Sequence, residues 1–137
     1  MSQKYNLIMK KLIFFTFILF IAFSCKKIDK EPLGPTDIRV RNITTLDMSD
    51  LTVNTFDSTY NYGFLEADSV SLYHRFDRAY PKANITAMIN GQKYKTDTTY
   101  YTYMQYLGQM KATYQIYIVS DAQKKLGMQL IPDSQLK

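Results

Sequence analysis

Apolar and polar residues alternate over short stretches in the later part of this 137-residue chain, which is the pattern of strands with one buried face. Ile38 and Val40, for example, alternate with Arg39 and Arg41. The alternation predicts strands over 37–44, 51–56, 60–65, 70–76, 82–89, 92–96, 111–119 and 125–131. Within 70–76, the predicted apolar face holds Val70, Leu72, His74 and Phe76.

Turn residues add a prediction of how two of these strands connect. Asn90-Gly91 favours a type I′ turn, because both residues accept positive φ, so 82–89 and 92–96 should form a hairpin. Both faces of 111–119 are bulky, which predicts a central strand. Residues 97–110 fit either a strand or a tyrosine-rich loop.

The predicted fold class is all-β. Seven to eight strands in about one hundred residues, without a helical pattern, are typical of an immunoglobulin-like β-sandwich, which we expect over residues 37–133. The chain has one cysteine and no tryptophan, so the Cys–Trp–Cys core of antibody domains is absent and the expectation concerns architecture only.

The first part of the chain has a different pattern. Lys10 and Lys11 precede an apolar run over 12–23 that only Thr16 interrupts. A membrane-spanning helix needs about 20 apolar residues, so this run is too short to span and fits a signal peptide. We expect a cleaved signal over 1–24, with translation starting at Met9.

The single cysteine follows the apolar run at once. Ala22-Phe23-Ser24-Cys25 resembles the lipobox of bacterial lipoproteins, in which the cysteine is acylated and becomes the first residue after cleavage. This resemblance implies lipidation at Cys25, a lipidated tether over 25–36, and a membrane as the first partner. Two or more acyl chains hold a protein stably at a membrane.

Charge excludes one class of partner. The formal net charge is +5, but the chain from Thr36 onwards contains 11 Lys and Arg residues and 10 Asp and Glu residues, so it is nearly neutral. A nucleic-acid-binding domain should carry a clustered basic face. We therefore expect no nucleic acid partner, and we assign the basic excess to the signal and tether.

Three stretches of the domain resemble a group of small, uncharacterised Bacteroidota lipoproteins. They are Val40-Arg41-Asn42-Ile43-Thr44, the segment Ala67-Asp68-Ser69-Val70-Ser71-Leu72-Tyr73 with Phe76, and Ile89-Asn90-Gly91-Gln92 with the later Leu107-Gly108 to Tyr114. The resemblance implies a β domain in the cell envelope and no active site.

The same resemblance gives an expectation about location. Surface-exported lipoproteins of that phylum tend to carry acidic residues just after the cysteine, whereas Lys26-Lys27-Ile28-Asp29-Lys30 is mostly basic. We therefore expect a lipid anchor in the outer membrane with the domain on the periplasmic face. Asp57-Ser58-Thr59, Asp68-Ser69-Val70 and Asp97-Thr98-Thr99 match a short Bacteroidota O-glycosylation pattern.

The sequence offers little catalytic chemistry. His74 is the lone histidine, and one histidine without a second His or a free Cys is a poor metal site. Asp47, Asp50, Glu66 and Asp68 are interpreted as turn formers. P-loop, EF-hand and GxGxxG patterns are absent from the sequence, so no metal or other cofactor and no catalytic residue is predicted.

Tyrosine provides the best candidate for a binding surface. Tyr100, Tyr101, Tyr103 and Tyr106 lie close together, and tyrosine combines a flat apolar ring with a polar tip, as recognition surfaces require. The alternative is an ordinary strand with one packed face.

Two functions follow from these observations. The first is a membrane-anchored, non-catalytic binding or structural module that contacts an envelope protein or a glycan. The second is a small envelope enzyme or enzyme inhibitor that uses the loops near His74.

Overall fold

A computed structural model describes residues 34–133. The predicted signal peptide, Cys25 and the tether up to residue 33 lie outside the described residues. Within the described range, no helix is long and apolar enough to cross a membrane. The strands are β1 (Thr36–Asn42), β2 (Met48–Asn54), β3 (Thr59–Leu65), β4 (His74–Phe76), β5 (Asn84–Ile89), β6 (Gln92–Lys95), β7 (Lys111–Ser120) and β8 (Lys125–Pro132).

All eight strands belong to one mixed sheet, in the order β3-β2-β5-β6-β8-β7-β1-β4. The β1–β7 and β6–β8 pairs are parallel and the others are antiparallel. The sheet curls until it is nearly closed, so that its inner face encloses the core.

The all-β class is confirmed, but the strand order is not that of an immunoglobulin sandwich. Such a sandwich separates strands ABED from strands CFG in two sheets. Here β1 lies between β7 and β4, and the hydrogen-bonded order runs through all eight strands. Alternation in the sequence specifies which face of a strand is buried, and it does not specify which strand is its neighbour.

The core consists of the inward residues of nearly every strand. Ile38, Val40, Leu51, Val53, Ile85 and Ile116 are all fully buried, as their alternation predicts. Tyr114 is also fully buried, and its hydroxyl donates to the Tyr80 carbonyl oxygen at 2.5 Å. Burial raises the pKa of Tyr114, which therefore stays neutral.

The predicted hairpin and the predicted central strand are confirmed. Asn90 and Gly91 have φ of 50° and 76°, as a type I′ turn requires, and they join β5 to β6. Strand β7 has β8 on one side and β1 on the other. Residues 97–110 form a loop rather than a strand.

The prediction for 70–76 is wrong in its first half. Only His74–Phe76 is a strand, and the Leu72 side chain is 89% exposed. The reason is Ser71, whose N–H donates to the Val40 carbonyl while its hydroxyl accepts from the Val40 N–H. A side chain thus replaces a backbone group in the pairing with β1, and the neighbouring apolar side chains face solvent.

A buried amide at the end of β1 connects three segments of the chain. The Asn42 side-chain amide donates to the carbonyl oxygens of Leu46 and Glu66, at 2.8 and 3.0 Å. Its carbonyl oxygen accepts from the Thr44 N–H and the Thr44 hydroxyl, at 3.0 and 2.7 Å. All four hydrogen-bonding positions of the amide are therefore used at a fully buried site.

Aromatic side chains fill the space between the edge strands β3 and β4. The Tyr60 and His74 rings stack at 3.5 Å with an 8° angle, and the Phe76 ring meets His74 edge-on at 4.9 Å. The Tyr62 hydroxyl donates to the Ile38 carbonyl at 2.8 Å. This aromatic seam of Tyr60, Tyr62, His74 and Phe76 joins the two edges by side-chain packing.

We predict that Asn42→Ala destabilises the fold by about 2–4 kcal/mol, because it removes four hydrogen bonds made by a fully buried side chain to Thr44, Leu46 and Glu66. Urea unfolding measures the change. Asn61→Ala is the matched control, since this exposed amide only accepts from the Gly63 N–H, and it should cost less than about 1 kcal/mol. Equal effects of the two substitutions would contradict the role given to Asn42.

We predict that the stability of the fold falls as the pH drops through about 6.5, the ordinary pKa of histidine. Burial lowers the pKa of His74, so the folded state prefers the neutral imidazole and the unfolded chain takes up the proton first. The contribution of His74 to the stability of the fold is complete above a pH of about 6.5, and it is lost as the pH falls towards the lower pKa that His74 has in the folded state.

His74→Phe tests this prediction, since it keeps a flat ring against Tyr60 and has no group that titrates. Urea unfolding at pH 7.5 and 5.5 should differ for the native chain and agree for His74→Phe. A pH dependence of the same size in both proteins would assign the titration elsewhere.

Candidate binding groove

The shortest ladder of the sheet connects β6 to β8, and we call this connection the β6–β8 joint. Only Lys95 and Lys125 are paired there, and the Lys95 N–H donates to the Lys124 carbonyl at 3.0 Å. A side-chain cluster strengthens the joint: the Tyr94 hydroxyl donates to the Asp121 carboxylate, and the Lys124 ammonium donates to the Tyr94 hydroxyl at 3.1 Å. The hydrogen bond from Tyr94 holds the pKa of Asp121 below its ordinary value.

Beyond this joint the sheet opens into a groove of about 520 Å³. Residues of β7 and β8 form one wall, among them Tyr117, Val119 and Gly127. Lys82, Ala83 and the segment 96–100 form the other wall. The volume lies in the range of ligand-binding clefts, about 300–1,000 Å³.

Tyr117 is a fixed aromatic surface in this groove. It pairs with Gly127 across the β7–β8 ladder, and a Cβ on Gly127 would lie 2.4 Å from the Tyr117 ring. The ring therefore rests on the glycine backbone in a position that any larger residue would prevent. Tyr117 is still 39% exposed, so one face of the ring is available.

The loop that forms the second wall is fastened by hydrogen bonds. The Thr99 N–H donates to the Asn84 side-chain oxygen at 2.7 Å, and the Leu107 N–H donates to the Ala79 carbonyl at 2.8 Å. The Thr36 hydroxyl donates to the Gly108 carbonyl at 2.6 Å. Tyr100, between these attachments, is 79% exposed and lines the groove.

The structure separates the four tyrosines of the predicted surface. Tyr100 lines the groove, Tyr103 is 99% exposed at the tip of a turn, and Tyr106 is half-buried. Tyr101 points inward, where its hydroxyl donates to the Asn54 carbonyl at 2.9 Å and its ring packs against Phe56 and Tyr80. Burial raises the pKa of Tyr101.

Tyr117 and Gly127 were not among the site residues predicted from the sequence. The signal was a glycine within the alternating stretch 125–131, since glycine inside a strand marks a bulge or a close approach of another group. Its partner lies ten residues earlier and is identified only by the register of the β7–β8 pair.

Charge around the groove is mixed, with a basic excess. Lys125 and Asp97 form an ion pair at 2.8 Å, and Lys82 lines the same groove. Lys95, the register partner of Lys125, lies beside it. The Asp97-Thr98-Thr99 match to the glycosylation pattern is also in the groove wall.

The other chemistry-bearing residues have structural surroundings. His74 belongs to the aromatic seam, and no group of three or more His, Cys, Asp or Glu residues within 34–133 is arranged to hold a metal ion. Asp47 accepts from the Ala67 N–H at 2.9 Å, and Asp68 has positive φ in the same turn region. Asp50 has positive φ at an irregularity in β2 rather than in a turn.

A second polar cluster lies on the outer face of β1, and its groups satisfy one another. The Asp133 carboxylate accepts from the hydroxyls of Tyr73 and Thr113 and lies 3.5 Å from the Arg39 guanidinium. The Arg39 and Lys111 cations lie over the Tyr73 ring at 4.9 and 5.1 Å. This cluster connects the end of β8 to β1 across β7.

Fold and groove together describe an all-β domain with a tyrosine-lined cleft. No protein-family model matches the chain, and no curated protein matches it. A solved structure, described as the NMR structure of the protein from Eubacterium rectale, is similar over 77% of this chain and 92% of that one, with 18% identity and a TM-score of 0.41. This is a distant structural likeness, and it bears on neither family nor function.

Proposed function

We propose that this protein is a non-catalytic binding module, held at the cell envelope by lipid on Cys25, which binds its partner in the groove between β8 and the segment 96–100. The observation that supports binding is the Tyr117 ring, fixed on Gly127 and open on its other face. Tyr100 is exposed in the opposite wall. Aromatic surfaces of this kind suit a glycan or an envelope protein.

The remaining tyrosines have different parts in this proposal. Tyr103 extends the exposed surface beyond the groove, and Tyr106 lies half-buried in the same loop. Tyr101 positions the loop through its hydrogen bond to Asn54. A partner therefore contacts Tyr100 and Tyr103, while Tyr101 keeps them in place.

Location and family are part of the same proposal. The apolar run over 12–23 and the lipobox-like Ala22-Phe23-Ser24-Cys25 support an outer-membrane lipid anchor of the Bacteroidota type. The basic residues 26–27 favour the periplasmic face over the cell surface. The near balance of charge from Thr36 onwards supports a partner other than nucleic acid.

The surroundings of His74 support a non-catalytic function over an enzyme or inhibitor built on that residue. Its imidazole is stacked on Tyr60 and packed against Phe76. The Asp37 carboxylate of the neighbouring strand β1 is bound by the Arg75 guanidinium rather than by this imidazole, whereas a catalytic histidine is usually oriented by a carboxylate.

We predict that Cys25→Ala moves the protein from the membrane fraction to the soluble fraction and abolishes incorporation of labelled palmitate, because the acyl chains supply the anchoring energy. Ser24→Gly is the matched control, since it keeps a small residue before the cysteine and should keep the label. A Cys25→Ala protein that stays in the membrane fraction would contradict a lipid anchor.

We predict that Tyr100→Ala and Tyr117→Ala each weaken binding by about tenfold, through the loss of one aromatic contact. Gly127→Ala should act in the same direction without removing an aromatic group, because it displaces the Tyr117 ring. A glycan array and a display library of random eight-residue peptides, both probed with the full chain in detergent, supply the ligands.

Phe64→Ala is the control for these variants. Phe64 is another exposed aromatic residue, on β3 at the far edge of the sheet order, so its loss should leave binding unchanged. Thermal unfolding confirms that each variant is folded. Folded groove variants that bind as well as the native chain would exclude the groove as the site.

A further inference from the structure

The backbone of β8 presents unused hydrogen-bonding groups to the groove, as the pairing of β7 demonstrates. The Asp37 N–H donates to the Met110 carbonyl, and the Ile43 N–H donates to the Ile116 carbonyl. In a strand, the N–H and C=O of one residue point to the same side, and successive residues alternate. The even-numbered residues of β7 therefore bond to β1, and the odd-numbered residues bond to β8.

The same alternation determines to which side of β8 the backbone N–H and C=O of each residue point. Its register partners for Gln115 and Tyr117 are Gln129 and Gly127, so the odd-numbered residues of β8 face β7. The even-numbered residues, Leu126, Met128 and Leu130, point their backbone groups to the other side, where Leu126 and Met128 line the groove and Leu130 continues the same strand edge beyond it.

Very little occupies that side of β8. The Lys95–Lys125 pair is its one register pair with β6, and the Lys124 carbonyl accepts from Lys95 there. For Met128 and Leu130, no hydrogen bond to another backbone group on this side is found within residues 34–133. An open strand edge of this kind is a template for one more strand.

We propose that the ligand of the groove is an extended peptide that adds to β8 as a strand, parallel or antiparallel, between β8 and the segment 96–100. This inference rests on the proposed binding function and specifies its ligand. The peptide donates to and accepts from the backbone of Met128 and Leu130. Its side chains on the outer face lie against Tyr117 and Tyr100, which line the two walls.

Two observations favour a peptide over a glycan. A row of N–H and C=O groups at strand spacing matches another strand, whereas sugar hydroxyls have no such repeat. The groove also has a basic excess, with Lys82 and Lys125 against Asp97, so the favoured peptide is neutral to acidic with alternating apolar residues.

The experiment uses the full chain in detergent and peptides selected from the random eight-residue display library. Amide hydrogen exchange by NMR is compared without and with a selected peptide. Gly127 and Gln129 amides, which face β7, should be protected in both states. Met128 and Leu130 amides should exchange readily in the free protein and become at least tenfold more protected on binding.

A backbone substitution isolates the edge from the side chains. Met128→Pro removes the N–H that faces the groove. Because this N–H points away from β7, no hydrogen bond between β7 and β8 is lost. Met128→Ala removes the same side chain, including the sulfur that accepts from the Ala83 N–H, and keeps the backbone N–H. We expect Met128→Pro to bind the peptide about tenfold more weakly than Met128→Ala.

N-methylation of the peptide gives an independent measurement if Met128→Pro does not fold. Methyl groups on alternate amides of the peptide should abolish binding, and methyl groups on the intervening amides should be tolerated. Unchanged exchange at Met128 and Leu130, or an N-methyl scan without alternation, would overturn the proposal.

The glycan array distinguishes this inference from the proposed function. If glycans bind through Tyr117 and the library yields no peptide, the peptide proposal is overturned and the groove remains the binding site. If neither a glycan nor a peptide binds in the groove, both the proposed function and the peptide proposal are overturned. Peptides that protect Met128 and Leu130 support both.

Discussion

The narrow joint between β6 and β8 is the constraint on which the rest of the structure depends. One register pair and the Tyr94–Asp121–Lys124 cluster keep the two halves of the sheet continuous. Because the pairing stops after Lys95, the edge of β8 that points away from β7 has no partner strand beyond Lys125, and a groove opens between it and the segment 96–100. A longer joint would give a better-closed sheet without a cleft. The site is thus a consequence of incomplete pairing at one position in an otherwise continuous fold.

Two other interactions hold the sheet closed elsewhere, and they differ in kind. Asn42 connects the end of β1 to the two following turns through four hydrogen bonds at a site without water access. The aromatic seam joins β3 to β4 by ring packing, without a ladder between them. A buried amide needs all of its partners, whereas stacked rings tolerate small displacements. Asn42 therefore defines the geometry at the end of β1, and the aromatic seam covers the open edges of β3 and β4.

Much of the fold follows from the sequence, and the groove does not. Alternation predicts the buried faces around Ile38, Ile85 and Tyr114 because burial acts on each strand separately. The order of the strands depends on pairing between distant segments, such as β1 with β7, which alternation leaves open. The contact of Tyr117 with Gly127 likewise depends on the register of the β7–β8 pair. In 97–110, anchoring to Asn84 and Asn54 decides which tyrosine is exposed, and neither asparagine is near in sequence.

The position of β1 has a mechanical consequence for a tethered protein. The described domain enters β1 at Thr36, immediately after the segment that the proposed anchor would pull. Tension applied there acts along β1, between β7 and β4, and so loads both ladders in shear, with many hydrogen bonds sharing the force at once. A partner bound at β8 would be connected to the membrane through β7 and β1, across the β7–β8 and β1–β7 ladders. A domain tethered in the proposed way would pass force from a partner on β8 to its anchor through paired strands rather than through loops.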